Sequence, residues 1–270
     1  TEVPPNFKTF INIKNYFVFT NLNTNICKYY KMKSKNCKSR SNETSRLFDK
    51  LSDQWWDENG SFKALHSFNL IRLEYLKKNN LNQSLNGLSI LDVGCGGGIL
   101  CEPLSRLGAK VTGIDSNKKA IKVAKEHAKI KNLKINYINT ELSEVEKSSF
   151  DIVTCMEVLE HVENVDQIIS FSKKILKRNG VFFGSTINKT LTSYLLAIFF
   201  AENVLQIVPR GTHQWKKFLK PNFVKKKFLK NGFNNFQIQG VNYNPFKNRW
   251  SYSENTFINY MFFAIKSSKL

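Results

Sequence analysis

Ile90-Leu91-Asp92-Val93-Gly94-Cys95-Gly96-Gly97-Gly98-Ile99-Leu100 is the stretch of sequence that decides the fold of this chain. Its apolar start predicts a short strand, its glycines predict a tight turn, and the residues that follow predict an amphipathic helix to about Leu107. A strand, a glycine-rich turn and a helix in this order open a parallel βαβ unit. Glycine lets the backbone approach a ligand closely, and amides at a helix N-terminus attract anionic groups. The stretch therefore predicts a site for a nucleotide-like ligand at the carboxyl end of the first strand.

A second predicted strand, Val111-Thr112-Gly113-Ile114-Asp115, ends in an acidic residue. A carboxylate at this position of an α/β sheet accepts hydrogen bonds from the hydroxyls of a ribose. A Gly-x-Gly turn alone is also compatible with an ordinary loop, but its combination with Asp115 is more specific. Asp92 lies inside the first strand, which differs from the dinucleotide-binding fingerprint. The whole pattern resembles the S-adenosylmethionine loop of class I methyltransferases.

The composition is that of a basic globular protein. Among 270 residues, 41 are Lys or Arg and 21 are Asp or Glu, which gives a formal net charge of +20, and 41% are hydrophobic. This length accommodates one large α/β domain and an extension. The charge favours nucleic acid or anionic lipid as a partner, although a compositional bias toward Lys and Asn accounts for it equally well. The five cysteines form no Cys-x-x-Cys pair, which indicates a reducing compartment.

Residues 1–44 differ in composition from the rest of the chain. They carry eight basic and two acidic residues, many Asn, Ser and Thr, and no sustained hydrophobic period. A basic, acid-poor leader resembles an organelle transit segment, although transit segments favour Arg over Lys. A disordered tail of biased composition is the alternative. We therefore predict a leader at 1–44 and a folded methyltransferase domain at 45–270.

Helical and strand-like segments alternate from the glycine-rich stretch onward. Five βα repeats in succession require a doubly wound sheet with helices on both faces. The predicted fold class is therefore α/β, with a doubly wound, mostly parallel, seven-stranded sheet. Beyond the first two strands, the predicted helices lie at 117–131 and 165–176, and the predicted strands lie at 135–138, 150–155, 181–185, 233–243 and 259–266.

An aromatic-rich segment, residues 48–66, precedes the first strand and includes Trp55 and Trp56. Aromatic residues at this density predict an N-terminal helical lid over the cofactor site, and simple packing against the sheet is the alternative. The next segment, 67–78, has apolar residues at helical spacing and carries Arg72. An arginine near the cleft pairs well with a carboxylate. Arg72 is therefore a candidate partner for the methionine carboxylate of S-adenosylmethionine.

The βα pattern is interrupted after the predicted fifth strand by an insert at about 187–220. The insert contains the apolar run 191–200, and basic residues lie on both sides of this run, among them Lys189 and Arg210. The run is too short to cross a bilayer. We predict that the insert faces a membrane as an interfacial anchor, with a substrate lid or a buried helix pair as the alternatives.

Glu157, Glu160 and His161 follow the predicted fourth strand at positions i, i+3 and i+4. On a helical turn this spacing places the three side chains on one face. Two carboxylates and an imidazole are suitable ligands for a hard divalent cation such as Mg²⁺, which lowers the pKa of a bound phenol. The same pattern also occurs as a plain helix start in methyltransferases without a metal. The spacing alone leaves both interpretations open.

Further motifs make the resemblance specific. From about Phe48 to Lys266 the chain resembles the family of ubiquinone-biosynthesis O-methyltransferases, which comprises bacterial enzymes and their mitochondrial counterparts. The matching pieces follow the order of the family and cover about four-fifths of the chain. They include Phe-Asp-Lys-Leu-Ser-Asp-Gln-Trp-Trp-Asp at 48–57, Ile-Leu-Asp-Val-Gly-Cys-Gly-Gly-Gly at 90–98, Val-Thr-Gly-Ile-Asp at 111–115, Val-Thr-Cys-Met-Glu-Val-Leu-Glu-His-Val at 153–162 and Val-Pro-Arg-Gly-Thr-His at 208–213.

The resemblance implies roles for individual residues. One departure from the family is Asn69-Leu70-Ile71-Arg72, where the family usually has Asn-Pro-x-Arg. The missing proline leaves the start of the helix, and with it the placement of Arg72, open. The implied S-adenosylmethionine contacts are Arg72, Gly94, Asp115 and Met156, the implied Mg²⁺ ligands are Glu157, Glu160 and His161, and His161 is alternatively a catalytic base.

The resemblance also implies a reaction and a location. The reaction is in-line transfer of the methyl group from the sulfonium to a catechol oxygen of 3,4-dihydroxy-5-polyprenylbenzoate and of demethylubiquinol. The location is the matrix side of the mitochondrial inner membrane, bound peripherally and in contact with other quinone-biosynthesis proteins. The alternatives are an RNA methyltransferase and a non-catalytic scaffold of a quinone-synthesis complex. Met156-Glu157-Val158-Leu159 replaces the Asn/Asp-Pro-Pro-aromatic tetrad of amino-directed nucleic-acid methylases, so no nucleic-acid partner is expected.

Overall fold

The computed structural model describes residues 48–80, 84–145, 149–193 and 215–267. The predicted leader and most of the predicted insert lie outside the described residues. The helices are α1 (Lys63–Asn79), α2 (Cys101–Arg106), α3 (Lys118–Ile130), α4 (Val165–Ile175) and α5 (Pro221–Lys230), and short helical segments lie at Ser52–Gln54, Leu142–Glu144, Leu191–Ser193 and Trp215–Lys217. The strands are β1 (Ser89–Val93), β2 (Lys110–Asp115), β3 (Asn136–Asn139), β4 (Phe150–Met156), β5 (Leu176–Ile187), β6 (Phe233–Asn244), β7 (Arg249–Ser253) and β8 (Asn259–Lys266).

The eight strands form one sheet in the order β3-β2-β1-β4-β5-β8-β6-β7. β1 to β5 pair in parallel, while β8 runs antiparallel to both of its neighbours, β5 and β6. The predicted fold class, a doubly wound and mostly parallel α/β sheet, is confirmed. Strand order reverses between β1 and β4, so a crevice forms at their carboxyl ends, where sheets of this kind bind ligands.

Apolar side chains cover both faces of the sheet, because neighbouring residues of a strand point to opposite faces. In β5, Phe183 belongs to the core cluster that includes residues of α1, α2 and α3, whereas Phe182 belongs to the cluster that includes residues of α4 and α5. Phe263 and Phe262 of β8 are divided between the two clusters in the same way. This double coverage explains why the central strands are almost continuously apolar in the sequence.

The spacing of apolar residues predicted α3 correctly. Its buried residues are the alanines and the isoleucine that the sequence places at helical spacing, namely Ala120, Ile121, Ala124 and Ala128. Asn117 caps the helix, because its side-chain oxygen accepts the N–H of Ala120 at 3.0 Å. Within the described part of the chain, no helix has the length and hydrophobicity needed to cross a membrane.

An eighth strand, β7, is present that the sequence analysis did not predict. It pairs with β6 in an antiparallel hairpin. Asn244 shapes the connection, since its Oδ1 accepts the N–H groups of Phe246 and Lys247 at 3.0 and 3.1 Å. Asn-Pro-Phe-Lys-Asn at 244–248 is a turn signal of this kind and could have indicated the hairpin.

The ends of two helices also differ from the prediction. α1 begins at Lys63 rather than at Ser67, so it includes the end of the aromatic-rich segment. α4 ends at Ile175, because Leu176 has extended backbone and already pairs with Phe150 of β4. Residues 177–180 therefore belong to an irregular part of β5.

Candidate active site

The glycine-rich loop after β1 is attached to the end of β2. The backbone N–H groups of Gly94 and Cys95 both donate to the carbonyl oxygen of Ile114, at 2.8 and 3.0 Å. Gly94, Gly96 and Gly98 have φ values of +70°, +52° and +88°, which residues with a Cβ rarely adopt. The loop therefore needs glycine for its shape as well as for the approach of a ligand.

Asp115, the last residue of β2, holds the same loop from the other side. Its carboxylate accepts the N–H of Gly96 at 2.9 Å and that of Asn117 at 2.7 Å. Burial raises the pKa of Asp115, and these two hydrogen bonds oppose the shift. Each carboxylate oxygen keeps further acceptor capacity. The predicted contact with ribose hydroxyls is compatible with this geometry and stays a prediction.

Arg72 is a buried cation of α1, with 4% of its surface exposed. Its Nη2 lies 3.9 Å from Oε1 of Glu157, and its guanidinium carbon lies 4.2 Å from the centre of the Phe68 ring. Burial lowers the pKa of Arg72, and the charges of Glu157 and Asp92 oppose the shift. Among the described residues, Nε and Nη2 have no hydrogen-bond partner. A guanidinium with two available N–H groups is suited to bind a carboxylate.

The helix α1 is uninterrupted at the position before Arg72 where the family usually has a proline. α1 continues through Leu70, whose side chain is 76% exposed. The side-chain amide of Asn69 donates to the carbonyl oxygen of Ile99 at 2.6 Å, which ties α1 to the residue after the glycine-rich loop. This long-range hydrogen bond helps to hold Arg72 at the cleft without a proline.

The predicted cofactor residues meet at one edge of the sheet. Gly94 follows β1, Asp115 ends β2 and Met156 ends β4, and β1 lies between the other two strands. Met156 is 8% exposed and belongs to the same core cluster as Phe68 of α1. Because parallel strands end at the same edge, these three residues lie beside the point where strand order reverses, and the ion pair with Glu157 places Arg72 near the end of β4.

The residues after β4 form a turn and not a helix. Glu157 has a φ of +57°, in the left-handed region. The turn closes with a hydrogen bond from the N–H of His161 to the carbonyl oxygen of Val158, at 2.9 Å. The prediction that Glu157, Glu160 and His161 share one face of a helical turn is therefore wrong, because the left-handed residue breaks the helical spacing.

The three predicted metal ligands do not form a metal site in this arrangement. Glu157 pairs with Arg72, and Oε2 of Glu160 accepts a hydrogen bond from the hydroxyl of Thr186 at 2.7 Å. In the described ranges, no group of three or more His, Cys, Asp or Glu side chains is arranged to hold a metal ion. As they are placed, Glu157, Glu160 and His161 do not fit a bound Mg²⁺ ion.

Aromatic rings lie directly on the glycine-rich loop. The ring of Trp55 occupies the space next to Gly96 and Gly97, so that a Cβ on either glycine would overlap it. Trp55 is 7% exposed and stacks on Phe62, with the ring centroids 4.0 Å apart. Nε1 of Trp56 donates to the carbonyl oxygen of Gly97 at 3.0 Å. The local sequence does not indicate that Trp55 fills the space next to these two glycines.

Asp92 is a second residue that the sequence analysis did not assign to the site. It is 3% exposed, and its carboxylate accepts hydrogen bonds from the hydroxyl of Thr154 at 2.6 Å and from the thiol of Cys101 at 3.2 Å. Burial raises the pKa of Asp92 to about 6, although the hydrogen bonds and Arg72 oppose the shift. An acidic residue inside an apolar strand is a signal that could have identified it, because buried carboxylates are rare.

The fold and this edge of the sheet define a class I S-adenosylmethionine-dependent methyltransferase. A family model described as a methyltransferase domain matches residues 91–184. Magnesium protoporphyrin IX methyltransferase from Synechocystis PCC 6803, solved with bound SAH, has a TM-score of 0.57 and 22% identity, over 76% of this chain and 84% of that chain. A SAM-dependent methyltransferase from Thermotoga maritima has a TM-score of 0.60 and 13% identity, over 83% of this chain and 100% of that chain. At these identities the likeness concerns the fold alone.

Relatives with higher sequence identity show to which family of methyltransferases the chain belongs. The ubiquinone biosynthesis O-methyltransferase of Pelagibacter ubique is 44% identical over 230 residues, 82% of this chain and 95% of that protein. The mitochondrial ubiquinone biosynthesis O-methyltransferase of Rattus norvegicus is 40% identical over 236 residues, 82% of this chain and 68% of that protein. This chain belongs to the family of ubiquinone biosynthesis O-methyltransferases. The family predicted from the motifs is confirmed, and these relatives favour neither an RNA methyltransferase nor a scaffold.

We expect the substitution Asp92→Asn to reduce the pH dependence of stability. The pKa of Asp92 is raised from 3.8 to about 6 in the folded protein, so the folded state binds this proton more tightly than the unfolded chain does. Its contribution to the free energy of unfolding is therefore fully present at about pH 3, below the unfolded pKa, and is lost as the pH rises through about 6 to about 7, a change of about 3 kcal/mol.

Denaturant unfolding of the wild type and of Asp92→Asn at both ends of this pH range measures the difference. Asp53→Asn, which changes an exposed carboxylate, is the matched control. If Asp92→Asn and the wild type show the same pH dependence, the raised pKa of Asp92 is contradicted.

Proposed function

We propose that this O-methyltransferase acts on two polyprenylated catechols, 3,4-dihydroxy-5-polyprenylbenzoate and demethylubiquinol. Membership of the ubiquinone biosynthesis O-methyltransferase family is the observation that carries the proposal. The crevice between β1 and β4 supports it, because a glycine-rich loop, an acid and a buried guanidinium surround one cleft. Such a set is suited to a ligand with a nucleoside at one end and a carboxylate at the other.

In this proposal the cofactor lies across the carboxyl ends of β1 and β2. S-adenosylmethionine supplies a methyl group on a positively charged sulfur. Arg72 binds the methionine carboxylate with Nε and Nη2, and Asp115 accepts hydrogen bonds from the ribose hydroxyls. Gly94 allows the backbone to approach the cofactor, and Met156 contacts it from the end of β4.

The catechol lies beside the turn after β4. In-line transfer requires a phenolic oxygen to be aligned with the bond between sulfur and the methyl carbon, so positioning provides much of the rate. The phenolic proton has to leave before or during the transfer. His161, at the end of the turn and partly buried, is the residue that we propose as the proton acceptor.

Trp55 has to move before the cofactor binds against the glycines. Its ring fills the space next to Gly96 and Gly97, which a bound ligand needs. A hydrogen bond between Nε2 of His66 and the carbonyl oxygen of Trp55, at 2.8 Å, fixes the backbone of Trp55, so that the movement concerns its side chain, which would have to leave its stack on Phe62. We therefore propose that the segment around Trp55 serves as the lid of the cofactor site.

We expect Arg72→Gln to raise the Kd for S-adenosylhomocysteine by about tenfold to a hundredfold, because a charge-assisted hydrogen bond to the carboxylate is lost. Tryptophan fluorescence measures the binding, since Trp55 moves when the ligand enters. Arg106→Gln, which changes an arginine with a 52% exposed side chain, is the matched control. Equal affinities of Arg72→Gln and wild type, with the fold intact, would rule out the proposed role of Arg72.

Magnesium stays a prediction that rests on the family resemblance. Glu157, Glu160 and His161 would be its ligands, with two carboxylates and an imidazole within one turn, and His161 would then be a ligand instead of the proton acceptor. Glu157 would have to leave its ion pair with Arg72 in order to take part. Since the three side chains do not fit a metal as they are placed, no step of the proposed reaction depends on one.

A methylation assay tests the substrate and the metal together. The purified protein is incubated with S-adenosylmethionine and a short-tailed 3,4-dihydroxy-5-prenylbenzoate, with Mg²⁺ or with EDTA, and the product is detected by mass. We expect a singly methylated product. Loss of the product with EDTA supports a requirement for the metal. If the same product forms with EDTA, the O-methyltransferase activity is supported and a requirement for the metal is excluded. Absence of product despite measured cofactor binding contradicts the proposed substrate.

We also propose that the protein binds peripherally to the matrix side of the mitochondrial inner membrane. Lys216, Lys220 and Leu191 belong to the described part of the insert and are exposed, and Leu191 is 70% exposed. Amines bind anionic lipid, and apolar side chains enter the interface of the bilayer. The relative from Rattus norvegicus is named as mitochondrial, which supports the compartment. Contact with other quinone-biosynthesis proteins stays a prediction.

We expect the protein to co-sediment with vesicles that contain anionic lipid and to bind weakly to neutral vesicles. The double variant Lys216→Gln and Lys220→Gln should weaken binding by about tenfold or more, at about 1 kcal/mol per basic residue. Lys122→Gln and Lys125→Gln, two exposed lysines of α3, form the matched control. Equal binding to anionic and neutral vesicles would contradict the electrostatic part of the proposal.

A further inference from the structure

A cavity of about 340 Å³ lies between α4, α5 and the segment 215–219. Five of its lining residues are apolar: Leu159, Val162, Val165, Leu219 and Phe223. Six polar or charged residues complete the lining: Glu163, Asn164, Asp166, Lys216, Lys217 and Lys227. The volume is near the lower end of the range for ligand pockets, about 300–1,000 Å³. None of the predicted cofactor contacts lines this cavity.

Long-range hydrogen bonds hold the walls of the cavity in place. The N–H of Leu219 donates to the carbonyl oxygen of Ile187 at the end of β5, at 3.1 Å, and the hydroxyl of Tyr260 donates to the carbonyl oxygen of Leu219 at 2.9 Å. Nζ of Lys227 lies 2.5 Å from the carboxylate of Asp166, which joins α5 to α4. The cavity is therefore built by three elements that are fixed to one another and to the sheet.

The turn after β4 separates the cavity from the glycine-rich loop. The side chain of Val158 lies against Gly94, so that a Cβ on this glycine would overlap it. The next residue, Leu159, lines the cavity. Neighbouring residues of one turn thus contact the proposed cofactor site and the cavity, and the candidate residue His161 belongs to the same turn.

We propose that this cavity binds the first isoprenoid units of the substrate tail. The inference rests on the proposed function, in which the catechol lies beside the turn at 157–161. In that arrangement the cofactor would lie on the side of Val158, next to Gly94, and the tail would extend on the side of Leu159, where the cavity lies. There it meets apolar side chains, whose burial favours a hydrocarbon. The volume accommodates one or two units, so the rest of a longer tail stays outside the cavity.

A series of catechols with no tail or with one, two or more isoprenoid units tests the proposal. For the wild type, KM should fall over the first one or two units and then stay constant. Val162→Phe, which fills the cavity, should raise KM at least about tenfold for the tailed substrates and leave the tail-less catechol within about twofold. Ile130→Phe, on an exposed position of α3 with 72% exposure, is the matched control.

A KM that is independent of tail length, or an equal effect of Val162→Phe on tailed and tail-less catechols, would overturn the proposal. A photoreactive farnesyl analogue gives a second readout that does not require turnover. Labelling within 159–166 or 216–227 that Val162→Phe suppresses supports the cavity, and labelling elsewhere overturns it. If no catechol is methylated, the proposed function fails, and this labelling decides separately whether the cavity binds an isoprenoid.

Discussion

Two backbone hydrogen bonds from the glycine-rich loop to the carbonyl oxygen of Ile114 hold the centre of the site together. They place the carboxyl ends of β1 and β2 side by side, and the carboxylate of Asp115 adds a third attachment at Gly96. Because the loop carries left-handed residues, it can follow this path only with glycine. Other parts of the molecule then attach to the loop. Asn69 joins α1 to Ile99, and Trp56 joins the aromatic segment to Gly97.

Buried charge is the second constraint on the site. Arg72 lies near Asp92, Glu157 and Glu160, and taking these groups out of water is unfavourable unless they compensate one another. Three acidic groups around one cation leave an excess of negative charge. The raised pKa of Asp92 reflects its burial in this environment, where a single guanidinium only partly offsets the desolvation. Under the proposed function, this excess of negative charge favours a cationic sulfonium, whereas the ligand carboxylate depends on its contact with Arg72.

The turn after β4 connects the two halves of the proposed reaction. The left-handed conformation of Glu157 ends the strand and directs this side chain toward the ion pair with Arg72. Val158 then packs on the glycine-rich loop and Leu159 lines the cavity. A turn in which successive residues face different sites can position a small aromatic ring between a cofactor and an apolar tail pocket.

Sequence by itself determined the α/β class, the succession of strands, the buried face of α3 and the family, because these depend on local periodicity and on contiguous motifs. It also placed Gly94, Asp115 and Met156 at the ends of strands, which parallel pairing then brings to one edge. It did not determine that Trp55 fills the space next to Gly96 and Gly97, that Glu157 has a left-handed backbone conformation, or that Arg249–Ser253 forms a strand. Only the tertiary structure decided these features and the cavity beside Leu159. The position of Trp55, the conformation of Glu157 and the cavity depend on contacts between residues far apart in the chain, and the geometry of such contacts follows from packing rather than from local sequence. The strand Arg249–Ser253 is the exception, because it forms a local hairpin whose turn residues at 244–248 are visible in the sequence.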